Sequence, residues 1–200
     1  MKIIVIGATG TIGSEVAKAL FLNNHEVIAA ARNGAVKVDL NDLASLRALF
    51  DHVPDADAVV SCINRAVFKP LAALTDADYQ VGARSTMGNV WLTRLAVDHL
   101  RDAGSITVTT GALSMRPAMG SAAVSMANAG LEAFVRAAAL DLPRGLRINA
   151  VSPPWVKETL VKRGMDPTPG IAAFDVAKAY VAAIEGSHQG KILDPRRLDG

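Results

Sequence analysis

The chain has 200 residues, with 21 Lys and Arg against 19 Asp and Glu and a formal net charge of +2. Half of it is hydrophobic, which excludes a disordered chain, and its length suits one domain burying roughly 70% of its unfolded surface. The balanced charge gives no support for nucleic-acid or polybasic membrane binding, and the lone Cys62 excludes an intrachain disulfide and a multi-Cys zinc site.

In chain order, Lys2–Ile6 is a β-branched apolar run that reads as a strand. It lacks the longer apolar stretch and small-residue cleavage site of a signal peptide. Thr11–Leu22 reads as a helix with apolar positions Ile12, Val16, Leu20 and Phe21. Glu26–Ala31 is a second strand and Lys37–Leu40 a short third, joined by a link too short for a crossover helix. Asp42–Phe50 is a helix and Ala58–Ser61 a buried strand. A long helical region runs from Asp76 to Leu100, with a break expected at Val81–Ala83. Ser105–Thr109 is a strand, and Ala123–Leu142 an Ala-rich helix ended by Pro143. Leu146–Val151 is a strand, Phe174–Glu185 a helix and Lys191–Leu193 a last strand. Strands alternating with helices predict an α/β fold: a single Rossmann-type, doubly wound, mostly parallel sheet with helices on both faces. Right-handed crossovers place its binding crevice at the carboxyl ends of the strands. No window nears the ~20 apolar residues that cross a bilayer, so the expected location is the cytoplasm.

Gly7-Ala8-Thr9-Gly10-Thr11-Ile12-Gly13 follows the first strand and opens the first helix. In that context the first glycine makes a tight turn, the second admits a pyrophosphate to the backbone, and the third lets the helix pack on the strand. The helix N-terminus then offers free N–H groups to the anion. This pattern favours dinucleotide binding over an ordinary glycine-rich turn, and no Gly-Lys-Ser/Thr follows to suggest a P-loop. The second strand ends in Ala30-Ala31-Arg32, without the acid that binds the ribose hydroxyls of NAD. Arg32 suits a 2′-phosphate, so NADP is favoured, with NAD as the alternative. Asp39 either accepts from the adenine amino group or caps the helix that follows.

These residues resemble the short-chain dehydrogenase/reductase family over nearly the whole chain. Gly7–Gly13 matches the family's glycine motif, and Val38-Asp39-Leu40 is similar to its adenine-pocket segment. Ser61-Cys62-Ile63-Asn64 stands where the family has Asn-Asn-Ala-Gly. Pro143-Arg144-Gly145-Leu146-Arg147-Ile148-Asn149-Ala150-Val151-Ser152-Pro153 resembles the segment beside the nicotinamide. The resemblance implies a cofactor site at Gly7, Thr9, Gly10, Thr11, Ile12, Gly13, Arg32, Asp39, Leu40, Cys62, Ile63, Asn64, Pro153 and Val156. It implies that Val156 offers backbone groups to the carboxamide and that Thr159 touches the pyrophosphate. It also implies a small-molecule substrate and a homodimer or homotetramer, packed through the helices Thr86–Leu100 and Ala123–Leu140.

The family's catalysis uses Tyr as acid or base, Ser to orient the carbonyl, Lys to depress the tyrosine pKa, and often an Asn. Here Val124 stands at the Tyr position and Asn128 at the Lys position. Thr110 falls near the Ser, and Ser85 aligns with the Asn, so the candidate catalytic residues are Thr110, Ser85 and Asn128. Valine donates no proton and asparagine carries no cation. The chain thus resembles a short, atypical subgroup lacking the active-site residues. Tyr79 and Tyr180 lie far from this segment in sequence.

No metal site is expected, because His25, His52, His99 and His188 are scattered without ligand spacing. Cys62 reads as a small buried thiol, with a reactive or cofactor-adjacent thiol as the alternative. Met115, Met119 and Met126 read either as core packing or as lining of an apolar pocket. Lys157–Ile171, with Pro167, Pro169 and Gly170, is an expected mobile loop. Two functions stand: an NADP-dependent reductase of a small carbonyl or activated alkene with an atypical proton donor such as solvent, and a catalytically silent NADP(H)-binding redox sensor or partner subunit.

Overall fold

Val, Ile and Ala fill the central strands because both faces of the sheet are covered. Ile3, Ile4, Val5 and Ile6 of β1 (Lys2–Ile6) are all fully buried. The computed structural model describes residues 1–198. After β1 come α1 (Thr11–Leu22), β2 (Glu26–Ala31), β3 (Val36–Lys37), α2 (Leu43–His52) and β4 (Ala56–Ser61). They are followed by α3 (Asp76–His99), β5 (Leu100–Thr109), α4 (Ala122–Asp141), β6 (Arg147–Val151), α5 (Lys157–Lys162), α6 (Ala173–Glu185) and β7 (Ile192–Leu193).

The strands form one sheet in the order β3-β2-β1-β4-β5-β6-β7, and each described pairing is parallel. This is the doubly wound Rossmann-like α/β architecture expected. Period-two alternation divides the core. Ile4 and Ile6 pack with Leu46, Leu92 and Leu131 under α2, α3 and α4. Ile3 and Val5 pack with Val16, Leu20, Val176 and Tyr180 under α1 and α6. Strand order reverses between β1 and β4, so the loops after these strands diverge and open a crevice. No described helix is long and apolar enough to cross a membrane. No described group of three or more His, Cys, Asp or Glu can hold a metal ion.

Several local expectations are corrected. The third strand is Val36–Lys37, because a four-residue link lets the chain rejoin β2 only at Ala30 and Ala31. Val38 and Leu40 turn into the core instead. A Cβ on Gly88 of α3 would stand 2.4 Å from the Leu40 carbonyl oxygen, so that glycine lets α3 settle on them. Helix α3 runs without the expected break at Val81–Ala83. Phe21 is exposed, since the inward stripe of α1 passes through Val16 and Leu20. Met115, Met119 and Met126 are exposed rather than packed in the core. The expected mobile loop contains α5, and a parallel bridge joins Val156 to Ile171.

Helix α3 starts in a capping box between Thr75 and Asp78. The Asp78 carboxyl is held down to about 2, first by the hydrogen bond from Lys69 and then by those from Thr75. Its value lies below the ordinary carboxylate, so the cap is fully present above the ordinary value and is lost as pH falls through the folded one. Acid titration followed by NMR is expected to show Asp78 among the last carboxylates to protonate.

Candidate functional site

Gly7 leaves β1 with φ +84°, and a Cβ there would stand 2.9 Å from Ile63 Cγ1. A Cβ on Gly13 would meet the Gly7 carbonyl oxygen at 2.1 Å, so only glycine lets α1 lie against this turn. Gly10 caps α1 without a side chain, and the first turn holds no acid. The N–H groups of Thr11, Ile12 and Gly13 donate no hydrogen bond among the described residues. They form a positive, unsatisfied helix end that fits a pyrophosphate.

From this cradle a groove crosses the carboxyl ends of the strands as two cavities of about 250 Å³ each, meeting at Cys62 and Asn64. The first is lined by Gly7, Thr9, Gly10, Arg32, Ile63 and Arg65. The second is lined by Ile12, Thr110, Val124, Asn128, Pro153 and Val156, among others. Arg32 and Arg65 are exposed and make no ion pair among the described residues. Arg65 escaped the sequence reading because it lies in an irregular loop.

Two expected cofactor residues stand apart. Asp39 Oδ1 accepts the Asn41 N–H at 2.9 Å, and the Asp39 N–H donates to Ser45 Oγ, so the residue fastens the turn before α2. Leu40 is 1% exposed in the core. Neither lines either cavity of the groove. Thr11 is reached from above, because Lys162 Nζ of α5 donates to its Oγ1 at 2.7 Å. That lysine sits within a segment that sequence reads as loose. Lys162→Ala is expected to weaken cofactor binding several-fold by removing a charge beside the cradle, with a flatter dependence on salt in a fluorescence titration.

At the far end the donors are already engaged. Val124 stands half-buried in the cavity wall. Asn128 Oδ1 accepts from Asn64 Nδ2 at 2.6 Å, and its Nδ2 donates to the Gly111 carbonyl at 3.0 Å. The residue therefore ties the loop after β4 to the turn after β5. Thr110 Oγ1 donates to the buried Glu132 Oε1 at 3.0 Å, with the Val151 carbonyl a second acceptor at 3.4 Å. A hydroxyl has one proton, so Thr110 in this geometry accepts from a ligand rather than donating to one. Ser85 is buried away from the groove lining, where its Oγ accepts the Arg65 N–H at 2.9 Å. The neighbouring Asn89 donates to the Ile63 carbonyl at 3.2 Å. Both residues hold the 63–65 loop in place.

Tyr180 lies beneath this floor. Thr109 gives its proton to the Ser61 carbonyl at 2.6 Å, so Tyr180 Oη donates to Thr109 Oγ1, also at 2.6 Å. Burial holds the phenol well above its ordinary value, and it is 0% exposed. It stays protonated and out of a ligand's reach. Cys62 is half-buried and lines both cavities, and desolvation pushes its thiol up.

A family model described as enoyl-(acyl carrier protein) reductase, of the short-chain dehydrogenase type, matches residues 7–185. The chain belongs to the short-chain dehydrogenase/reductase family. Hydroxynaphthalene reductase-like protein Arp2 of Metarhizium brunneum is 31% identical over 134 residues, covering 64% of this chain and 50% of that protein. Hydroxynaphthalene reductase arp2 of Aspergillus fumigatus is 28% identical over 132 residues, 63% and 48% of the two chains. The chain thus spans about half the length of these curated relatives. Among solved structures, the protein lin1944 from Listeria innocua is 36% identical at a TM-score of 0.90, covering 97% of this chain and 98% of that one. A small-chain dehydrogenase in complex with NADPH superposes at a TM-score of 0.85 with 24% identity, covering 97% and 95%, and shares the fold.

Within this oxidoreductase family the cradle and the crevice are retained. Val124 offers no proton to the far cavity, and Asn128, expected at the family's lysine position, carries no charge there.

Proposed function

We propose that the groove binds NADP(H) and that the protein reduces a small carbonyl or activated alkene, with solvent as proton donor. The observation that carries this reading is the continuous groove that begins at the unsatisfied N-terminus of α1 and ends at Val156. The Val156 N–H donates no hydrogen bond among the described residues and suits a carboxamide oxygen. Gly10, Thr11 and Ile12 would hold the pyrophosphate, and Arg32 with Arg65 a 2′-phosphate. The bound cofactor supplies hydride. Trp155, Phe68 and Val124 give the far cavity apolar walls, with the Trp155 and Phe68 rings 5.8 Å apart. An activated alkene suits such a wall, because carbon takes its proton from water without a positioned acid. The matched family description and the hydroxynaphthalene reductases support a reductase of conjugated or aromatic substrates.

A second reading is favoured by Val124 and by the engaged protons of Thr110 and Tyr180: the protein binds NADP(H) without turnover, as a redox sensor or partner subunit. Titration with NADPH and NADH, followed by a screen of carbonyls and activated alkenes for cofactor oxidation, separates the two. Failure to bind either cofactor overturns both, and binding without turnover across the screen favours the second. Arg32→Glu is expected to weaken NADPH binding tenfold or more and to change NADH binding less, as measured by the same titration.

We also propose a homodimer or homotetramer packed through α3 and α4. Met87, Met126 and Leu140 stand exposed on those helices, and the solution mass tests it.

A further inference from the structure

A larger cavity, of about 700 Å³, lies among α4, the turn after β5 and the segment around β7. It shares no lining residue with the cofactor groove. Arg116, Arg136, Lys191 and Arg197 stand around it, and none of the four makes an ion pair among the described residues. Four basic side chains against the two acids of the lining, Glu132 and Asp194, leave a basic excess that attracts an anion.

The same cavity is lined by Glu132, which is 2% exposed. Its Oε1 accepts from Thr110, Ser114 and Ser152 at 3.0, 2.8 and 3.1 Å. Its Oε2 accepts from no described residue. That oxygen is not among the fully buried polar atoms left without a partner, so it opens to the cavity and is free to accept from a donor there. A bare anion would be repelled there, and a bare cation would be repelled by the four basic residues. Asp194, the other acid in the lining, already accepts the Arg196 N–H at 3.0 Å, and His188 completes the titratable groups.

We propose that this cavity binds a small organic anion that also carries a hydroxyl or ammonium group. The anionic end is held by the basic residues, and the donor end reaches Glu132 Oε2. The volume fits a small metabolite rather than a macromolecule. This site is independent of the cofactor reading.

Isothermal titration of the full chain with glucose 6-phosphate, O-phosphoserine and citrate tests it, with glucose as the neutral control. At least one anionic probe is expected to bind saturably below about 1 mM, and glucose is not. The double variant Arg136→Ala with Lys191→Ala is expected to weaken that probe tenfold or more while leaving NADPH binding unchanged. Glu132→Gln, which places an amide donor against the ligand's donor, is expected to weaken it as well. Should that variant unfold, the Arg136 and Lys191 pair still decides. The proposal is overturned if no anionic probe saturates, if the double variant binds within twofold of the parent, or if NADPH displaces the probe.

Discussion

Gly13→Val is expected to abolish binding of NADPH and NADH, lowering affinity by a hundredfold or more. The new Cβ would stand 2.1 Å from the Gly7 carbonyl oxygen, 2.7 Å from its carbon and 3.1 Å from the Ala8 Cα. All three are backbone atoms, so no side-chain rotation relieves the clash. Helix α1 must move away from the turn, and the free N–H groups of Thr11 and Ile12 move with it. Overpacking of this kind costs about 1–3 kcal/mol of stability, which a domain this size survives. Cofactor fluorescence and thermal melting, measured together, separate lost binding from lost fold. Gly130→Ala is the control. A Cβ there meets nothing within 4 Å, and alanine in a helix gains up to about 1 kcal/mol over glycine. It is expected to bind cofactor as the parent does and to melt slightly higher. A Gly13→Val protein that binds within threefold of the parent would sink the cradle reading.

Val124→Tyr combined with Asn128→Lys is expected to raise carbonyl reductase activity by roughly 10²–10⁴-fold, the usual worth of a positioned acid. Val124 already faces the far cavity, so a phenol there reaches the space that Trp155 and Phe68 enclose. The lysine supplies the missing cation that lowers the phenol's pKa. The exchange has a cost, because Asn128 joins Asn64 to the Gly111 carbonyl. Loss of those two bonds is worth about 1–3 kcal/mol, so the double variant is expected to melt lower than Val124→Tyr alone. NADPH oxidation against a panel of aromatic ketones and quinones reads the gain. A folded double variant that binds NADPH but reduces nothing would show that the cavity does not present a carbonyl to the cofactor.

The cofactor end of the site was far more legible in the sequence than the catalytic end. Gly7–Gly13 is a local device, in which a strand, a turn and a helix start follow one another within thirteen residues. The spacing alone therefore specified where an anion fits. Asp39 shows the limit. Its position after a short strand suits an adenine pocket, yet the four-residue link after β2 ends the strand early and turns the acid onto Asn41. Ser85 shows another. It aligns with a catalytic position, but its distance from the groove depends on how α3 packs, and there it fastens Arg65. Lys162 was hidden in a stretch rich in turn residues, whose order comes from the bridge between Val156 and Ile171. Glu132 left no signal at all, since an acid on an Ala-rich helix looks like a solvated face. Its three hydroxyl partners are 22, 18 and 20 residues distant in the chain and converge only when β5, β6 and α4 pack together.

By itself, then, the sequence determined the alternation of strands and helices, the parallel sheet and the glycine turn that opens α1. Each of these follows from contacts within one βα unit or from the burial period of a single element. The tertiary structure alone decided which protons remain free at the far end. Hydrogen-bond partners there come from four separate elements, and a hydroxyl's one proton goes to whichever acceptor the packing brings nearest.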